Sequence, residues 1–383
     1  MPDVIYLDAN ASTPCDSQVV HAMLPFFAER FANPSSRSHT PGREAFSALE
    51  EARRTVARCL GAASATEIVF TSGATEANNL AIRAAAAART DHGRHLVSQK
   101  TEHPSVLQPL AALRREGWEV TLLGVDEGGR IRTGELEQAL RPDTVLVSLM
   151  LANNETGVLQ PVAEAAALAH ARGALLHCDA AQGPGKLLLD LGELGADLAS
   201  FSAHKAYGPK GVGAVYLRRG RPPLRLEPML AGGGQERGLR SGTPNLPGAA
   251  GLAAALELAA ERTDEDASRT AILRDRLEQE IMNGLDGVRR NGDLRHRLPN
   301  TTNLSFAGVD GSALLASLPD LAVSTGSACS SAAPEPSPVL RAMGVPPGLA
   351  AASLRFSLTR HTTEEEIGRA AQRVMEEVRR LRG

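Results

Sequence analysis

The sequence predicts an α/β fold built on a largely parallel sheet with helices on both faces, followed by a smaller domain. Three observations carry this. Short apolar runs recur at residues 67–71, 95–98, 144–151, 174–178 and 198–201, separated by stretches of helical patterning, and strands that alternate with helices belong in parallel sheets buried on both sides. Residues able to do chemistry fall just past the carboxyl ends of these runs, where open α/β sheets bind ligands. Beyond a charged and polar stretch at 261–268 the alternation stops, which places a domain boundary near residue 262.

The elements follow in order. Thr40-Pro41 reads as an N-cap with proline at the first helical position, opening a helix to about Cys59 with apolar residues at Phe46, Leu49, Val56 and Leu60. Glu67-Ile68-Val69-Phe70-Thr71 leads through Ser72-Gly73-Ala74-Thr75 into an alanine-rich helix, and His95-Leu96-Val97-Ser98 leads through Glu102-His103-Pro104 into another. Three more strands complete the series. The second domain holds a long helix, a short strand pair around Asn303-Leu304-Ser305-Phe306, and a closing helix of mixed charge from about Thr363. No internal repeat is present, and the alanine runs near 84–88 and 249–260 are helix-forming.

Composition narrows the function. A chain of 383 residues with 43% hydrophobic and 22% charged residues is ordinary for a soluble globular protein, and a net charge of -3 gives no electrostatic reason to expect nucleic acid or an anionic membrane as partner. The N-terminus lacks a basic region followed by an apolar stretch, and the mostly apolar run at 144–152 is far short of the ~20 residues a membrane span needs. The expected location is the cytoplasm.

The chain has only four lysines, Lys100, Lys186, Lys205 and Lys210, among 41 basic residues. Lys205 closes Ser202-Ala203-His204-Lys205 directly after an apolar run. A lysine at the end of a buried strand, beside a serine and a histidine able to bind an anion, is how a protein holds an aldehyde cofactor as a Schiff base, and the cofactor implied is pyridoxal 5'-phosphate. For the tetrapeptide alone a surface lysine after a strand is the commoner meaning, and the rest of the sequence has to overturn it. Other strand ends match what the cofactor requires. Backbone N–H groups at Ala74 and Thr75, with nearby hydroxyls, suit a phosphate, although a simple turn and cap has the same pattern. Asp179 could hold the pyridine nitrogen protonated, with Gln182 on the ring hydroxyl, or could be a helix cap. His103 could stack on the ring and move protons, or merely precede Pro104. Arg355, alternating out of Ser353-Leu354-Arg355-Phe356-Ser357, could grip a carboxylate bidentately or pair within its own domain. The glycine cluster 232–238 fails the dinucleotide spacing, because Arg237 stands where the third glycine belongs. A nicotinamide cofactor is disfavoured.

The four cysteines, Cys15, Cys59, Cys178 and Cys329, lie far apart without a C-x-x-C pair, so neither a metal site nor a disulfide framework is indicated. The first three read as packing residues. Cys329 differs, because it sits in a run of small residues, Ser324-Thr325-Gly326-Ser327-Ala328-Cys329-Ser330-Ser331-Ala332-Ala333-Pro334, which reads as an exposed, mobile loop. A thiol displayed there is an accident or a nucleophile that travels.

Taken together, the chain resembles the cysteine desulfurases, fold-type-I pyridoxal-phosphate enzymes similar to those that supply sulfur for iron-sulfur cluster assembly. The resemblance covers essentially the whole length. It rests on Leu7-Asp8-Ala9-Asn10-Ala11-Ser12-Thr13-Pro14, Asn33-Pro34-Ser35-Ser36-Arg37-Ser38-His39, Thr71-Ser72-Gly73-Ala74-Thr75-Glu76, Thr101-Glu102-His103, Asn153-Asn154-Glu155-Thr156-Gly157, Asp179-Ala180-Ala181-Gln182, Ser202-Ala203-His204-Lys205, Arg240-Ser241-Gly242-Thr243 and the loop of Cys329. It implies a mostly parallel seven-stranded sheet in a large domain over residues 15–262, and a small domain over 263–383 with residues 1–14 packing alongside it. It further implies Lys205 as the Schiff-base lysine, Asp179 and Gln182 on the ring, His103 stacked on it, and Ala74, Thr75, Ser202 and His204 around the phosphate. Asn154 and Arg355 would bind the substrate carboxylate. Thr243 would reach the phosphate of a neighbouring subunit, which implies a homodimer. The loop of Cys329 resembles the long-loop branch of the family.

The implied reaction converts L-cysteine to L-alanine, with the Cys329 thiolate taking the sulfur as a persulfide and passing it to an acceptor protein such as an iron-sulfur scaffold. The sequence ends at Arg382-Gly383, whereas some members carry a further extension that docks the scaffold, so a nitrogenase-type, cluster-assembly or tRNA-thiolation pathway all stay open. Two other classes remain. A selenocysteine lyase or aminotransferase of the same fold would keep Lys205 and Asp179 without needing Cys329, and a non-enzymatic cofactor-binding protein would show no turnover.

Overall fold

The computed structural model describes residues 4–220, 227–325 and 336–383. In chain order the strands among these residues are β1 (Ile5–Tyr6), β2 (Ile68–Thr71), β3 (His95–Gln99), β4 (Glu119–Leu123), β5 (Thr144–Met150) and β6 (Leu175–Asp179). They continue with β7 (Leu198–Ser202), β8 (Gly213–Leu217), β9 (Val288–Arg290), β10 (Thr301–Phe306), β11 (Leu321–Ala322) and β12 (Ser353–Ser357).

Seven of them form the main sheet, in the order β2-β8-β7-β6-β5-β3-β4. Pairings from β4 through β7 are parallel, while β8 runs antiparallel to both β7 and β2 and is the single reversed strand. Side chains of one strand alternate between two apolar layers. Val69, Leu96, Val145 and Val215 pack under the helices Ala74–Ala88 and Pro104–Arg115, whereas Phe70, Val97, Val147, Cys178 and Phe201 pack under Thr40–Cys59, Val162–Ala171 and the start of Leu246–Gly284. The period of two in these strands therefore divides the core into two layers, one per face. The predicted mostly parallel, doubly covered, seven-stranded sheet is the observed one.

Local signals set the helix ends. Helix Thr40–Cys59 is capped one residue earlier than the sequence predicts, because the His39 imidazole, not Thr40, accepts from the Gly42 N–H at 3.1 Å. The closing helix Glu364–Arg382 begins with a capping box between Thr363 and Glu366, and carries Glu364, Glu365 and Glu366 in its first turn and three arginines in its last, complementing the helix dipole.

The stretch at 261–268 is not a break. It lies inside one continuous helix of 39 residues, Leu246–Gly284, about 58 Å long at the α-helical rise. Its first part contributes Leu252 and Leu256 to the main core, and its last part contributes Leu273, Leu277 and Ile281 to a separate cluster. That second cluster also holds Leu304 and Phe306 of β10, Leu354 and Phe356 of β12, Val374 and Val378 of the closing helix, and Ile5 and Leu7 near the N-terminus. The charged residues fall where the helix passes between the two clusters and faces solvent. β12, β10 and β9 make a three-stranded antiparallel sheet rather than a pair, and β1 pairs in parallel with β11.

Candidate active site

A cavity of about 530 Å³ opens at the carboxyl ends of the parallel strands. Its wall includes Ala74, Thr75, His103, Asn154, Asp179, Gln182, Ser202, His204, Lys205 and Arg355. Ten of the sequence-predicted residues, contributed by segments spread over nearly 300 positions, are thus brought to one place. Thr243 is exposed and is not among the lining residues, so within a single chain the structure does not bring it to the cavity. Cys329 lies outside the described residues.

The phosphate end is built from helix Ala74–Ala88. Its cap position is Gly73, at φ 151°, and no side chain caps its first turn, which leaves N–H groups directed at the cavity. The close approach is glycine-dependent: a Cβ on Gly213 of β8 would stand 2.7 Å from Gly73 Cα. Glu76, the acidic residue of that turn, also lines the cavity, and its carboxylate accepts from Arg240 Nε at 2.8 Å and from the Ser72 N–H at 2.8 Å. Ser202 and Thr75 add hydroxyls. Burial, followed by the charges of Lys205, Lys210 and Lys186, pulls His204 down to about 4, so at neutral pH it is an uncharged hydrogen-bonding group.

At the other end Asp179 occupies the last position of β6. Its Oδ1 accepts from the Ala181 N–H at 3.0 Å and its Oδ2 from Asn78 Nδ2 at 2.8 Å. Asn78, on the face of its helix turned to the sheet, also donates to Ser105 Oγ at 2.8 Å. Ser105 in turn faces His103 Nδ1, 2.8 Å from its hydroxyl and 3.1 Å from its backbone N–H. Because the backbone N–H only donates, Nδ1 accepts and the ring proton sits on Nε2. Burial first, then the Lys205 charge, holds His103 below its usual value against the pull of Asp179. His103 is therefore both the cap of helix Pro104–Arg115 and a cavity residue, two roles that the sequence set against each other.

Neighbouring carboxyl groups are kept quiet. Burial pushes Glu102 well above the usual carboxylate range, while its Oε1 accepts from the Met150 N–H at 2.6 Å and from Gln99 Nε2 at 2.9 Å. Asn153 stitches this loop to the next one by donating to Thr101 O and accepting the N–H groups of Glu155 and Thr156. On the opposite wall Arg355 Nη1 donates to Asn154 O at 2.9 Å and Nη2 to Asp8 Oδ1 at 2.5 Å, which ties β12 and the N-terminal segment to the cavity.

These donors fit pyridoxal phosphate on the structure's own evidence. An uncapped helix start with hydroxyls around it suits a phosphate, a carboxylate held by two donors suits a protonated ring nitrogen, and a lysine lines the same cavity.

Comparison with known proteins agrees. The family model for aminotransferase class-V matches residues 5–369. Cysteine desulfurase IscS of Anaeromyxobacter sp. (strain Fw109-5) is 53% identical over 378 residues, covering 99% of this chain and 93% of the relative. The chain belongs to the class-V aminotransferase family and, within it, to the cysteine desulfurases. A solved NifS-like protein superposes with a TM-score of 0.90 at 40% identity, covering 97% of this chain and 98% of the other. A structure described as SspA in complex with cysteine superposes at 0.83 with 36% identity, covering 94% and 100%. Cysteine desulfurases are pyridoxal-phosphate enzymes, and pyridoxal phosphate is the cofactor of this chain.

Sequence reasoning missed Asn78, Ser105 and the structural part played by Asn10, whose side chain donates to Asn154 O at 3.2 Å and Thr301 Oγ1 at 2.9 Å. The signal for Asn78 was present. It is a polar residue three positions after Thr75, in line with the buried Ala77, Ala81 and Ala85, and such a residue needs partners inside.

Proposed function

We propose that this chain takes sulfur from L-cysteine, releases L-alanine, and carries the sulfur on Cys329 to an acceptor protein for iron-sulfur cluster assembly or a related thiolation. The observation that carries the reading is the gathering of Lys205, Asp179, His103, Asn154 and Arg355 in one cavity. Pyridoxal phosphate, attached at Lys205, supplies an electron sink that labilises the substrate Cα proton and activates its sulfur. Ala74, Thr75, Ser202 and His204 would hold its phosphate, Asp179 its ring nitrogen and Gln182 its ring oxygen. Asn154 and Arg355 orient the substrate carboxylate. With the cofactor bound, Lys205 Nζ would take the Cα proton, and His103, with its proton on Nε2, would donate to the substrate. The Cys329 thiolate attacks the substrate sulfur; a sulfur-sulfur bond forms, the carbon-sulfur bond breaks, its electron pair stays with the carbon skeleton, and that skeleton takes a proton at Cβ and regains the Cα proton from Lys205 before it leaves as alanine.

The related complex of SspA with cysteine supports L-cysteine as the substrate. We further propose a homodimer in which Thr243 serves the partner's phosphate site, a reading supported by its exposure and its absence from the lining of its own cavity. The two core clusters joined by one helix support a division near residue 262 into the domains 15–262 and 263–383, with residues 1–14 on the second. Among the described residues no helix is long and apolar enough to cross a membrane, and a cytoplasmic location is proposed with the rest. Peptide mass analysis after mixing with L-cysteine without reductant tests the central step. One added sulfur atom on the Cys329 peptide is expected, and alanine formation with no sulfur on that peptide overturns it.

A further inference from the structure

Lys186 is one of four lysines, and neither the motif reading nor the proposed mechanism uses it. It lies in the turn that follows β6 and is only 5% exposed. Its Nζ donates to Gln182 Oε1 at 3.0 Å and reaches Lys205 O at 3.3 Å. Burying an ammonium is costly, and burial first, followed by the charges of Lys205 and Arg355, pulls Lys186 down to about 7. A residue held at such cost inside the fold has a task there.

The hydrogen bonds of Gln182 show what it is. Its Nε2 donates to Asn10 O at 3.0 Å, a carbonyl that only accepts. Its Oε1 receives Lys186. Both partners fix the same amide orientation, and they leave one Nε2 hydrogen available on a side chain that lines the cavity. We infer that Lys186 is a positioning residue that locks Gln182 with a donor toward the cofactor's ring oxygen and, through Lys205 O, fixes the backbone that carries the Schiff-base lysine. This rests on the reading that Gln182 faces the ring oxygen.

A donor on that oxygen stabilises its negative charge and so lowers the proton affinity of the neighbouring lysine-bound nitrogen. The readout is the pH midpoint of the absorbance change of the resting holoenzyme, which needs no turnover. Lys186→Met is expected to raise the midpoint by about half a unit to one unit, the size of one hydrogen bond, as is Gln182→Ala. In the double variant the two shifts should not add, because they remove the same donor. Lys186→Gln, which keeps a donor and loses the charge, should stay near the parent and serves if methionine prevents folding. Shifts in Lys186→Met and Lys186→Gln that are equal, or a Lys186→Met shift that persists in full on Gln182→Ala, would mean charge alone acts and would overturn the inference. Gln182→Ala shifting the midpoint while Lys186→Met does not overturns it alone; no shift in Gln182→Ala sinks the reading of Gln182 and the inference with it.

Discussion

Replacing Asn78 with alanine cuts the link between Asp179 and Ser105 without touching a residue assigned to cofactor or substrate. Asn78 is fully buried and donates one hydrogen to each partner at 2.8 Å. The bond to a carboxylate contributes about 2 kcal/mol and the bond to a hydroxyl about 1 kcal/mol. The void adds a loss of about 1 kcal/mol, and relief of Asn78 Oδ1, which has no partner, returns about 1 kcal/mol. The net loss is about 3 kcal/mol, or a fall in Tm on the order of 6 °C at about 2 °C per kcal/mol for a chain of this size. Asp179 would keep only the Ala181 N–H, so pyridoxal phosphate affinity should fall as well. Thermal unfolding of the holoenzyme and equilibrium dialysis of the cofactor read the two effects. Asn78→Asp, which sets a second carboxyl group against Asp179, should be worse than alanine at neutral pH. A Tm within about 1 °C of the parent together with unchanged cofactor affinity would refute the network.

Two further outcomes are expected. Glu155 is buried and raised from 4.5 to about 7, by burial against the opposing Ser337 hydrogen bond and the Arg355 charge. Its folded form holds a proton that the unfolded form releases, so its contribution to stability is full below pH 4.5 and is lost as the pH rises through about 7. The difference between parent and Glu155→Gln should therefore drift by about 3 kcal/mol across that window in denaturant titrations, and a constant difference contradicts it. Arg355→Lys removes the planar fork, and KM for L-cysteine should rise roughly 30-fold, about 2 kcal/mol, with a smaller change in kcat; an unchanged KM removes Arg355 from the substrate site.

Strand-end residues were legible in the sequence because the fold delivers them by a local rule. Asp179, Lys205 and His103 each follow an apolar run, and parallel topology puts all such ends on one edge of the sheet. β8 escaped, since it enters antiparallel through a loop rather than after a helix, and β4 escaped because an edge strand with Glu119 and Leu122 exposed lacks a continuous apolar signature. Asn78 and Lys186 depend on contacts 101 and 4 to 19 positions away respectively, and which partner a buried polar group finds is a tertiary fact. The start of the long helix was not legible, because the charge at 261–268 reports only solvent exposure and does not show that the helix already runs from Leu246. Thr243 was named on resemblance alone, and it is exposed and does not line the cavity of its own chain.

The most direct test of the account is alanine and sulfide production from L-cysteine with dithiothreitol, comparing the parent with Lys205→Ala and Cys329→Ala and recording the absorbance spectrum of each. Equal amounts of both products from the parent, failure of both variants, and loss of the lysine-bound cofactor band in Lys205→Ala alone are the predicted result. Full sulfide release by Cys329→Ala would contradict sulfur transfer through that thiol and place the chain with the lyases or aminotransferases.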